Sequence, residues 1–217
     1  MMLSHARLGL AEVQLNRGVW SEVDELLAQE YRDPVTLIGS SLLKWDVAEA
    51  RGVAWERPWE RGDPQFETLT TVEWRKEAAL ALMVRVDGDL PGAVGVALDG
   101  LDRSRAATGL GESFSLLWRL AADMVAESDD VVAHDRLIGL IATDDVVPLA
   151  LLAHRARFTA LWAMRHRDDD VAVEVELRSA IDCYERLGSR LLAARTAADL
   201  GTWLLRDGRH MEAEPLL

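Results

Sequence analysis

The segment Leu200-Gly-Thr-Trp-Leu-Leu-Arg-Asp-Gly-Arg-His-Met-Glu-Ala-Glu-Pro-Leu-Leu217 decides the fold. Its spacing is L-G-x2-L-x3-G-x4-A-x3-L. The same spacing returns at Leu120, Ala121, Met124, Ser128, Ala133 and Leu137, and again at Leu80, Ala81, Val84, Gly88, Ala93 and Ala97. A fourth copy is Leu10, Ala11, Gln14, Gly18, Val23 and Leu27, with Gln14 polar where the others are apolar. Ile38, Gly39, Leu42 and Asp46 begin a fifth, but Arg51 stands where a small residue belongs. A fixed period of this kind is the mark of stacked supersecondary units.

Each position has a physical reading. The small residue after the first Leu lets the second helix of a hairpin approach the first. The Gly or Ser sits at the turn, where glycine adopts a left-handed C-cap at little cost. The small residue five positions later marks the crossing of the two helices. The last apolar residue packs onto the next hairpin. One hairpin leaves an apolar face open, so stacked neighbours build the core. Ala, Leu, Glu and Arg dominate at helical spacing, and runs of alternating strand formers are scarce.

Composition narrows the function. Of 217 residues, 49% are apolar and 28% charged, which suits a folded globular chain. The formal net charge of -13 repels phosphate backbones and anionic lipid, so neither nucleic acid nor membrane is an expected partner. Cys183 is the only cysteine, which excludes an internal disulfide and a thiolate zinc cage and fits the cytoplasm. No leader-like segment opens the chain, and no apolar run reaches the roughly 18 residues of a membrane span.

These signature positions resemble the tetratricopeptide (TPR) family over most of the chain. Glu185-Arg-Leu-Gly188, Ala193-Ala-Arg195, Leu204-Leu-Arg-Asp-Gly-Arg209 and Glu212-Ala-Glu-Pro-Leu-Leu217 are similar to the TPR-like C-terminal region of large actinobacterial signalling ATPases. Those proteins carry adenylate-cyclase-like or LuxR-type DNA-binding domains elsewhere. The near absence of lysine (Lys44 and Lys76 only) and of asparagine (Asn16 only) hints at the same GC-rich source. The resemblance implies an all-α, right-handed TPR-like solenoid of about five hairpins. It implies a regulatory, protein-binding role and does not transfer the enzymatic activity of those proteins, whose catalytic domains lie elsewhere.

The expected organisation is a single domain over 1–217, with an irregular loop at 54–64 (AWERPWERGDP) and a sub-boundary near 104–111. Intervals between copies reach 40 and 47 residues around Ala133, longer than the ~34 of a TPR. The chain stops inside what reads as a final helix. That reads as part of a longer protein, or as a homodimer through an uncapped C-terminal helix.

The search for chemistry finds no catalytic set. No glycine-rich loop leads to a Lys-Ser/Thr pair, and no H-E-x-x-H occurs. Ser40 and Ser113 lack the framing of a nucleophile elbow. His166-Arg167-Asp168 lacks the other kinase elements. Asp168–Asp170 reads as the charged first turn of a helix and not as a cation site. His154 and His166, twelve apart, fall about 120° out of phase on one helix and cannot chelate together. Neither cofactor nor metal is expected.

The resemblance also implies where a partner sits. In TPR arrays the first helix of each hairpin lines a concave groove. Counting the Leu of the Leu-Ala/Gly pair as position seven, positions two, five, nine, twelve and thirteen face it. They correspond to Arg75, Leu82 and Arg85; then Ser115, Trp118, Ala122 and Val125; then Arg195, Thr202 and Arg206. Arg155 and Trp162 join them on the helix between. Arginine forks suit carboxylates and phosphates, although they also neutralise neighbouring acids at helical spacing. The lysines and asparagines of a chaperone-tail clamp are missing. A peptide or protein partner leads, a small-molecule sensor follows, and an enzyme comes last.

Overall fold

The computed structural model describes residues 2–29, 31, 34–68, 73–142, 144, 146–166 and 170–217. Within them the chain is all-helical, with no strand. The helices are α1 (Met2–Arg17), α2 (Trp20–Leu27), α3 (Pro34–Arg51), α4 (Pro64–Thr68), α5 (Glu73–Val86), α6 (Leu90–Thr108), α7 (Glu112–Glu127), α8 (Val131–Gly139), α9 (Leu149–His166), α10 (Asp170–Arg186), α11 (Arg190–Arg206) and α12 (His210–Ala213). A 3-10 turn, Glu214–Leu216, follows the last. None of the described helices is long and apolar enough to cross a membrane.

The turn glycines do what the spacing asks. Gly18, Gly88 and Gly208 have φ of 74°, 88° and 76°. At Gly208 the amide donates to the Leu205 carbonyl at 3.1 Å, and the next amide, Arg209, reaches back to Leu204 at 2.9 Å. That pair of bonds is a Schellman cap, and it recurs at Gly18, Gly88 and Gly188. The following helix starts at once, and an aspartate caps the start of α6 after Gly88 and of α8 after Ser128. Asp89 accepts from the Gly92 amide, and Asp130 from the amides of Val132 and Ala133.

The fifth copy departs from the pattern. Asp46 is no turn: α3 runs on to Arg51 and ends in a Schellman cap at Gly52 (φ 64°). Residues 53–63 are not helical. Trp55 and Trp59 from this stretch are nonetheless buried. Trp59 lies against the fully buried Phe66 of α4, ring centres 5.4 Å apart.

The small residues stand at close approaches. A Cβ on Gly201 would sit 3.0 Å from the Leu217 side chain and 3.3 Å from Leu216. Ala11, Ala81 and Ala121, the equivalents in other copies, are completely buried. So are Ala93 and Ala213, the small residues of the second helices.

The chain divides into two compact units, Met1–Leu120 and Ala121–Leu217, with the division inside α7. In the first, α1 packs on α2 and α3, α3 on α5, and α5 on α6. In the second, α10 packs on both α9 and α11, and α11 on α12 and its 3-10 extension. Val173, Leu177, Leu200, Leu204 and Ala213 form part of that core, with Tyr184 and Ala153 in a second cluster.

Candidate functional site

Each unit contains a cleft lined by first helices of hairpins. The second unit has a further cavity of about 790 Å³ between α10 and α11, lined by Arg178, Ile181, Asp182 and Glu185 on one side and Arg190 and Ala194 on the other.

The cleft of the first unit encloses about 560 Å³. Leu8 and Glu12 enter from α1, and Val35, Gly39, Leu42, Leu43, Trp45 and Asp46 from α3. Trp74, Arg75, Ala78 and Leu82 come from α5, and Leu116, Arg119 and Leu120 from α7. Its walls are mainly aliphatic and indole. Trp45 is braced on its outer side, where Trp55 meets it edge-on at 5.5 Å and the Arg85 guanidinium lies 5.2 Å from the ring centre. Trp55 is itself fixed by its indole N–H, which donates to the Ser41 carbonyl at 3.2 Å. The irregular stretch after α3 is thus a buttress for the cleft wall.

Two arginines reach this cleft in different states. Arg119 donates from Nη2 to both carboxylate oxygens of Asp46, at 2.9 and 3.2 Å. Both side chains are mostly buried, 15% and 19% exposed. The Arg75 guanidinium lies over the Trp74 ring, 5.2 Å from its centre. It also lies against α3: a Cβ on Gly39 would stand 3.3 Å from Arg75 Nη1.

The cleft of the second unit is smaller and polar, about 370 Å³. Asp123, Ala126 and Glu127 come from α7; Arg157, Leu161, Met164 and Arg165 from α9; Arg195, Asp199, Thr202 and Arg206 from α11. Its centre is Arg157, only 9% exposed, which donates to Asp123 at 2.6 Å and to Asp199 at 2.8 Å. Arg195 lies 3.6 Å from the other oxygen of Asp123. Burial works against the Arg157 charge, but attraction to Asp123 and Asp199 outweighs it and holds the guanidinium firmly protonated. Burial pushes the Asp199 carboxyl above its ordinary 3.8, further than Arg157 pulls it down, and the Asp123 charge adds to the rise. These directions agree: one cation serves two acids, so it gains from both while each acid repels the other.

The expected groove residues divide accordingly. Arg75 and Leu82 line the first cleft, and Arg195, Thr202 and Arg206 the second. Arg85 braces Trp45 from outside the lining. Trp118 is corrected: it is 0% exposed, and Ser115, Ala122 and Val125, expected beside it, are buried as well. On α7 the cleft faces are Leu116, Arg119, Asp123 and Ala126, each one residue further on. One residue is a 100° rotation, enough to turn a groove face into a core face. On α9 the cleft takes Arg157 and Leu161, so Arg155 is exposed elsewhere. Trp162 is buried between His134 and His166, with ring centres 4.4 and 4.1 Å away.

No family model, curated protein or solved structure matches the chain. Its chemistry must be read from its own residues. Among the described residues no group of three His, Cys, Asp or Glu is placed to hold a metal. Arg167, Asp168, Asp169 and the side chains of Asp170 and Ser113 lie outside the described residues.

Sequence reasoning places Trp45 and Trp74 on helices as packing residues, of which a minority line a groove, and does not single out Arg119, Arg157 or Asp199. A signal was present in helical spacing: Val35, Gly39, Leu42 and Asp46 share one face of α3, and Arg195, Asp199, Thr202 and Arg206 share one face of α11.

Proposed function

We propose that the chain is a TPR-like helical-repeat interaction module, part of a bacterial regulatory protein, and that the second unit's cleft receives an acidic segment of a partner protein. One observation carries this reading: four guanidiniums, Arg157, Arg165, Arg195 and Arg206, line one cleft of a chain whose net charge is -13, Arg165 being paired with Asp129 at 2.8 Å. The clustering of cations in an otherwise acidic chain is local, and locality is what a recognition site needs. Arg157 is spent on Asp123 and Asp199 and acts as a post. Arg206 is exposed at the end of α11, with Thr202 one turn before it, and Arg195 is half-buried. A flexible acidic peptide satisfies such forks by bidentate pairing.

Nucleic acid fits poorly, because the rest of the chain repels it. The cytoplasm suits a chain with one thiol. The test is binding of a fluorescent glutamate-rich peptide to the full chain and to the double variant Arg195→Glu, Arg206→Glu. Binding that weakens at least about tenfold in the variant, and weakens with added salt, supports the reading. Equal binding by both proteins sinks it.

A further inference from the structure

We infer that the first unit's cleft is a separate binding site for a small monocarboxylic acid with an apolar body, aromatic or aliphatic. The inference rests on a different cleft from the acidic-peptide reading and stands or falls apart from it.

Size comes first. About 560 Å³ lies within the range of pockets that take small molecules, roughly 300–1,000 Å³. An apolar interior is the second point. Leu42, Leu43, Ala78, Leu82 and two indoles supply it, and Trp45 is held rigid from behind by Trp55 and Arg85. A braced wall loses little freedom when a ligand arrives.

Charge then selects the ligand. Asp46 already holds Arg119 through both oxygens. Arg75 makes no ion pair or hydrogen bond among the described residues, and its guanidinium lies over the face of Trp74. Its planar fork therefore has donors to offer to a carboxylate. The ligand carries one negative charge and not two, because Asp46 and Glu12 also line the cleft and repel a phosphate dianion. A cationic ligand would have to displace Arg119 from Asp46 or sit beside Arg75. Gly39 lets α3 come close to its neighbours here: a Cβ on it would stand 2.5 Å from Leu8 Cδ2 and 3.3 Å from Arg75 Nη1.

Octanoate and 3-phenylpropionate, each with its uncharged amide, are the probes. They are titrated into the full chain and followed by calorimetry and tryptophan fluorescence. The acids are expected to saturate, and the amides to bind at least about tenfold more weakly. Arg75→Gln should erase that difference while leaving the melting temperature unchanged. Leu42→Trp should fill the cleft and abolish binding of both. Arg206→Glu, in the other cleft, should leave acid binding intact.

Equal binding of acid and amide overturns the proposal, as does an Arg75→Gln variant that still prefers the acid. So does an absence of saturable binding. Loss of acid binding in Arg206→Glu would place the acids in the second unit's cleft. Displacement of the acids by a short apolar peptide with blocked ends would assign the first cleft to peptides.

Discussion

The two clefts are built from equivalent parts and have opposite characters. In both, first helices supply the lining, and an arginine is held by aspartate from another helix. In the first unit that pair, Arg119 with Asp46, sits at the edge of an apolar cavity walled by indoles. In the second, Arg157 lies nearly buried between two aspartates, with three more arginines around it. The repeat fixes where a cleft forms; the side chains at a few positions on its faces fix what it can hold.

The contrast is sharpest in stability. Arg157→Ala leaves Asp123 and Asp199 half-desolvated without their cation, a loss of about 3–5 kcal/mol. Arg119→Ala strips one partner from a more exposed pair and should cost about 1 kcal/mol. Urea unfolding of both variants checks the difference, and equal losses would erase the distinction drawn between the clefts. Trp55→Ala should cost about 3 kcal/mol and free Trp45, seen as a change in near-ultraviolet dichroism.

Turns should not distinguish the units. Gly88→Ala and Gly208→Ala each force a Cβ into the left-handed region and should cost about 1–2 kcal/mol, measured by thermal unfolding. A larger loss at one of them would mean that the hairpins are not equivalent.

The smallest effect is electrostatic. Asp199 has a raised carboxyl in the folded chain, so the folded state holds that proton more tightly than the unfolded one. Its stabilising contribution is full below the ordinary 3.8 and fades as pH rises through the folded value. Asp199→Asn should remove this component from the stability profile between acid and neutral pH. A profile unchanged by the substitution would show that Asp199 does not titrate as its burial requires.

Much of this was legible in the sequence. Gly18, Gly88 and Gly208 announced their turns, because only glycine takes that conformation cheaply. Ala81, Ala93, Gly201 and Ala213 announced their contacts, because only small residues fit there. The clefts were less legible. On α11 the residues expected to face a groove, Arg195, Thr202 and Arg206, line the second unit's cleft; on α7 the cleft residues stand one position beyond those expected. Spacing specifies a helix face only to within a residue, and one residue decides between core and cleft. Trp55 could not be placed at all, since it acts from a stretch without period. Its presence beside Trp59 in a proline-bounded segment was the hint, as two indoles are costly to leave in water.

Hydrogen exchange of the full chain, read by mass spectrometry with and without a saturating glutamate-rich peptide, tests the central claim most directly. The account predicts protection confined to α9, α11 and residues 123–127 of α7, around Arg157, Arg195 and Arg206, with the first unit unchanged. Protection on α2 or α6, or spread evenly along the chain, would contradict it.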